Sequence, residues 1–132
     1  MMPEGIAQFA RAKHLNLETF RKTGAGVRTP VWFAQDISHT NPSVTVFYIY
    51  SEAGAGKIKR LRNNPHVRVA PCTVRGSVRG MWIDGRARIC DESEAAHARQ
   101  LLTQKYGLLK TVGDFFSRLL RHQQTVIAVE VE

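Results

Sequence analysis

The chain has 132 residues, with 19 Lys and Arg against 11 Asp and Glu and a net charge of +8. At 43% apolar and 23% charged residues it has the balance of one globular domain over residues 1–132, which excludes fibrous, collagen-like and wholly disordered chains. No apolar run is long enough to span a bilayer. The opening MMPEGIAQFARAKH lacks the apolar stretch of a secretory signal, so a cytoplasmic protein is expected.

In chain order, EGIAQFARAK (4–13) has the apolar spacing of a short amphipathic helix. HLNLETF (14–20) alternates as a half-buried strand, and RKTGAG (21–26) is turn chemistry. VRTPVWFAQ (27–35) predicts the second strand of a hairpin. Pro30 inside it implies an edge, a bulge or a strand start, because proline cannot donate to a ladder. DISHTNPS (36–43) is a turn cluster, and VTVFYIY (44–50) is the strongest strand pattern in the chain. SEAGAGKIKRLRNNP (51–65) opens on small residues and passes into a short helical pattern, which Asn63-Asn64-Pro65 stops. Val67 to Cys72 and Met81 to Cys90 predict two more strands, joined by the turn RGSVRG (75–80).

Asp91 caps a predicted helix, DESEAAHARQLLTQKYG, with acids in its first turn, Lys105 late and Gly107 at its close. Leu108 to Leu120 predicts a second helix, and TVIAVEV (125–131) a last strand. Hairpin-linked strands with few helices predict a mainly β chain, an antiparallel barrel of about six strands with helical decoration.

Charge is concentrated. Between Lys57 and Arg88 lie nine basic residues and one acid, Asp84, a surplus equal to the whole net charge. Such a field attracts nucleic acid, an anionic membrane surface or a phosphorylated small molecule, or it is a solvated basic face. Cys72 and Cys90 form no CxxC, and the five histidines stand singly. No metal site is expected, and both cysteines read as small buried residues.

Two segments could carry chemistry. In Tyr50-Ser51-Glu52-Ala53-Gly54-Ala55-Gly56-Lys57-Ile58-Lys59-Arg60, a strand feeds a glycine loop and then a basic helix start. Free N–H groups and cations there suit a phosphate. It is not a Walker loop, since Ile58 follows Lys57 where a hydroxyl is required. In Arg28-Thr29-Pro30-Val31-Trp32-Phe33, an interrupted strand offers an apolar wall for a planar heterocycle, or Trp32 and Phe33 are simply core. No hydrolytic acid–base set is visible. Asp114 stands alone on its helical pattern, and catalytic residues are not assignable from the sequence.

Together, HLNLETFRKTGAGVRTPVWFAQD, GKIKRLRNNPHVRVAPC, GMWIDGRARIC and QKYGLL resemble the split β-barrel flavin and deazaflavin oxidoreductases, the relatives of pyridoxamine 5′-phosphate oxidase. Within them the chain looks most like the small branch labelled F420-dependent. The resemblance spans roughly residues 12–131. It implies a six-stranded antiparallel split barrel of the FMN-binding kind, working as a homodimer with its sites in the interface. It implies a cofactor phosphate held by Lys57, Lys59 and Arg60, with Ser51 in the same loop and Asn64 and Arg68 behind. Thr29, Pro30, Val31 and Trp32 would line the ring, and Trp82 or the Tyr106–Leu109 region would come from the partner. The implied function is hydride transfer between bound F420, or FMN, and a small-molecule substrate. The cofactor then carries the chemistry and the protein supplies orientation and exclusion of water.

Two other readings stand beside it. One is a basic nucleic-acid-binding barrel, disfavoured because only Trp82 offers an aromatic within the basic span. The other is a flavin-binding protein without catalysis.

Overall fold

The computed structural model describes residues 4–38, 40–52, 55–106 and 124–132. Among these residues seven strands form one antiparallel sheet: β1 (His14–Phe20), β2 (Gly26–Val31), β3 (Phe33–Ile37), β4 (Thr45–Glu52), β5 (His66–Cys72), β6 (Ile83–Ile89) and β7 (Gln124–Val131). Among the described residues three helices accompany them: α1 (Glu4–Ala7), α2 (Gly56–Asn63) and α3 (Glu92–Tyr106). The sheet order is β2-β1-β5-β6-β7-β4-β3.

That order explains the strand count. The segment expected as one strand over 27–35 breaks at Trp32. Its first half pairs with β1 and its second with β4, so one bent strand supplies both ends of the sheet and brings them together. Six continuous paths around a barrel therefore contain seven strands. Pro30 sits in the edge strand β2, where its missing N–H costs no ladder bond.

Alternation sorts the side chains. Leu15, Leu17, Val31, Phe33, Phe47, Ile49, Val67, Val69, Ile127 and Val129 fill the barrel, with Phe9 from the N-terminal segment and Ile58 and Leu61 from α2. Their neighbours Ala34, Val46, Tyr48, Tyr50, Val126 and Ala128 face outward and are covered by Ala95, Ala98, Leu102 and Tyr106 of α3. β4 is thus buried on both faces, which is why its sequence is continuously apolar or aromatic.

Local chemistry accounts for the turns and helix starts. Gly24 and Gly76 take φ of 91° and 89° in the turns after β1 and β5, conformations that side-chain-bearing residues rarely adopt. Asp91 caps α3 through its Oδ1, which accepts the Glu94 N–H at 2.9 Å. The expected N-terminal helix is regular only over Glu4–Ala7. The expected cap at Gly107, the helix over 108–120 and Asp114 lie outside the described residues. Cys72 is buried and Cys90 is half-buried, and both are free thiols.

Candidate functional site

The barrel has two contrasting ends, both reached along β1. At the Phe20 end a cavity of about 220 Å³ opens between the β1–β2 turn and α2. The turn contributes Phe20, Arg21 and Lys22, and α2 contributes Gly56, Lys59, Arg60 and Asn63. The α2 residues follow helical spacing, so they form one stripe, while Ile58 and Leu61 turn inward to plug the barrel. Four cations converge here, and no described carboxylate lines the cavity. No side chain caps the first turn of α2 at Ala55.

Arg60 is the most constrained of these cations. Its Nε donates to Thr19 Oγ1 at 2.7 Å. Partial burial, with the neighbouring Arg21 charge, lowers its pKa from the ordinary arginine value. Both effects oppose a charge that lacks an anion.

The expected phosphate residues divide. Lys59 and Arg60 line the cavity, whereas Lys57 stands outside the lining stripe. Ser51 is buried at the last inward position of β4, at the same end of the barrel. Asn64 is committed to the backbone: its N–H caps α2 on the Arg60 carbonyl, and its Oδ1 accepts the His66 N–H at 3.1 Å. Arg68 lies on the outer face, ion-paired to Glu18 and stacked over Trp82. Sequence reading missed Arg21 and Lys22. The signal was present, a basic pair beside a glycine turn, but only the fold brings that turn against α2.

At the His14 end lies an aromatic cluster. Trp32 stacks on Tyr106 with ring centroids 5.2 Å apart, and its indole N–H donates to His14 Nε2. Burial and the nearby Lys105 and Lys13 lower the His14 pKa, which favours the neutral ring that can accept this bond. The Tyr106 hydroxyl accepts the Phe33 N–H at 3.1 Å and donates toward the Lys13 and Phe33 carbonyls, at 2.7 and 2.8 Å. It satisfies backbone groups exposed where the strand changes partners.

The expected ring wall is split by the pleat. Thr29 and Val31 share the inward-facing register, and Pro30 is exposed on the outer face. Phe33 is wholly core, and Trp32 is half-buried. Residues 107–109 of the region expected from a partner chain are outside the described residues, and Tyr106 is buried within its own chain. Trp82 is half-buried, with the guanidinium carbons of Arg28 and Arg68 4.6 and 5.3 Å from its ring centroid.

The long basic span does not form one face. Arg68 pairs with Glu18, and Arg88 with both Glu94 and Glu130. Hydrogen bonding to Arg88 holds the Glu94 carboxyl down at about 2. The cavity cations are the ones gathered without a described acid.

No protein-family model and no curated protein matches this sequence. Solved structures do. The heme storage protein HutZ from Vibrio cholerae superposes with a TM-score of 0.67 at 15% identity, over 96% of this chain and 87% of that one. An FAD-binding protein from Mesorhizobium loti gives 0.62 at 18% identity, over 98% and 88%. An F420-H2-dependent reductase, FDR-A, gives 0.57 at 14% identity, over 89% and 93%. The fold is the split barrel of the pyridoxamine 5′-phosphate oxidase-like proteins, as the sequence resemblance implied. Among the described residues no helix is long and apolar enough to cross a membrane.

Proposed function

We propose that the protein is an oxidoreductase that binds F420, or alternatively FMN, by its anionic tail in the cavity between the β1–β2 turn and α2. It would pass a hydride between that cofactor and a small-molecule substrate in the cytoplasm. The observation that carries this reading is the convergence of Arg21, Lys22, Lys59 and Arg60 on one cavity without a described counter-charge. Charge-assisted hydrogen bonds from such a set favour a phosphate strongly.

The residues present fit such a group. At about 220 Å³ the cavity suits a phosphate and its linker, and it is smaller than the pockets that enclose a whole drug-sized ligand. The ring must therefore lie outside it. The bent strand at Thr29, Pro30, Val31 and Trp32 is the candidate support, and it reaches the far end of β1. Thr29 lies opposite Leu17, two residues from Thr19, and Trp32 reaches His14, five residues from Thr19, so the wall runs from about 7 to about 17 Å of strand away from the cavity. When bound, the cofactor would supply the hydride chemistry. The chain's own residues would grip the tail, hold the ring against an apolar wall and limit water. A homodimer would enclose the ring from the open side.

Fluorescence titration with F420 and with FMN tests the proposal. Binding of either at low micromolar concentration or tighter is expected, and absence of binding by both up to millimolar concentration removes it. Heme titrated in parallel separates the storage role described for HutZ: tight heme binding with no F420 or FMN binding would favour it instead. Oligonucleotide affinity tests the nucleic-acid alternative, which requires a steep dependence on salt. The scattering and pairing of the basic span argue against it.

A further inference from the structure

Three arginines outside the cavity, Arg28, Arg68 and Arg88, are held by carboxylates. Arg28 and Arg68 converge on Glu18, and Arg88 on Glu94 and Glu130. Arg60 is held differently. Its one described hydrogen-bond partner is an uncharged hydroxyl, Thr19 Oγ1. Thr19 is 1% exposed and occupies the last inward-facing position of β1, beyond Leu15 and Leu17 in the barrel. A polar atom at the end of an apolar barrel is costly unless bonded, and here its bond goes to the inner nitrogen of the guanidinium.

We infer that Thr19 is a positioning residue that presents Arg60 to an anion without neutralising it. A carboxylate in its place would fix the arginine equally well and cancel the charge the cavity needs. The hydroxyl fixes Nε and leaves the terminal nitrogens, Nη1 and Nη2, without a partner among the described residues. Gly56 acts from the other side. A Cβ there would stand 3.0 Å from Arg60 Nη1, so the glycine keeps room for the guanidinium over the first turn of α2. This rests on the proposed anion site but requires only an anion, not a particular cofactor.

The test is a double-mutant cycle read by calorimetric titration with inorganic pyrophosphate and by fluorescence titration with FMN and F420. Thr19→Val keeps the side chain's volume and removes the acceptor. It should weaken pyrophosphate binding about tenfold or more, the scale for losing one hydrogen bond to a charged group. Thr19→Ser should restore it. In an Arg60→Ala background, Thr19→Val should have no further effect, which a merely structural role would not produce. Gly56→Ala reaches the same guanidinium without touching the barrel, and it should weaken binding even if Thr19→Val fails to fold.

Unchanged pyrophosphate binding in a folded Thr19→Val protein, or an equal loss with and without Arg60, would overturn the inference. If pyrophosphate follows the expected pattern but neither FMN nor F420 binds, the cofactor reading falls and the role of Thr19 stands. If a cofactor binds and Thr19→Val changes nothing, only the inference falls.

Discussion

At its His14 end, β1 meets a region where nearly every polar group has a partner. Tyr106 satisfies the backbone at the strand bend, Trp32 donates to His14, and Leu102 and Ala98 of α3 seal the outer face. At its Phe20 end the same strand meets four cations around an open cavity. One end is organised by burial and dense hydrogen bonding, the other by like charges lining one cavity, an arrangement that costs stability until an anion arrives. Under the proposed function, stability belongs to one end and binding to the other. Substitutions can show whether that division is real.

The largest effect is expected at the sealed end. Leu102→Ala opens a cavity under α3 and should cost about 2–5 kcal/mol in urea or thermal unfolding. A smaller loss would show that α3 contributes less to holding the sheet than its burial suggests. Tyr106→Phe removes only the hydroxyl, leaving the buried Phe33 N–H unpaired, and should cost about 1–3 kcal/mol of stability.

At the open end the sign separates. Arg60→Ala should weaken cofactor binding by about 1.5–3 kcal/mol, with a smaller loss of stability from the unpaired Thr19 hydroxyl. Lys57 is half-buried and outside the lining stripe, and Lys57→Ala should change binding by less than about 0.5 kcal/mol, the scale of a peripheral charge. Equal effects at the two positions would mean that the anion sits over the helix start rather than in the cavity.

A gentler probe of the sealed side is pH. Glu94 anchors the start of α3 to β6 through Arg88, and its pKa is lowered from 4.5 to about 2. A carboxyl that is more acidic when folded contributes stability above its unfolded pKa and loses it as pH falls through the folded value. Unfolding followed between pH 4.5 and pH 2 should show this loss, and Glu94→Gln should flatten that limb. An unchanged limb in the variant would place the acid sensitivity elsewhere.

The strands were legible because their alternation is strong. HLNLETF matches β1 residue for residue, and the apolar run after residue 43 matches β4 within two positions. The break at Trp32 was not legible, because it reflects which neighbours the two halves of a strand find, β1 and β4, far apart in sequence. The site was half legible for a related reason. Lys57, Lys59 and Arg60 are near one another along the chain, yet helical spacing selects Lys59 and Arg60 for the lining stripe. Arg21 and Lys22 join only because the β1–β2 turn folds against α2.

The bend at Trp32 also sets where this chain can vary in length. Between β2 and β3 a single residue links two pairing registers that are each fixed by inward-facing side chains. Adding or deleting one residue between Gly26 and Ile37 would force one half to turn its apolar side chains out of the barrel. The 38–44 turn bears no such constraint. Insertions there would leave the closure untouched, so descendants of this sequence should grow at that turn and keep a constant count across the bent strand.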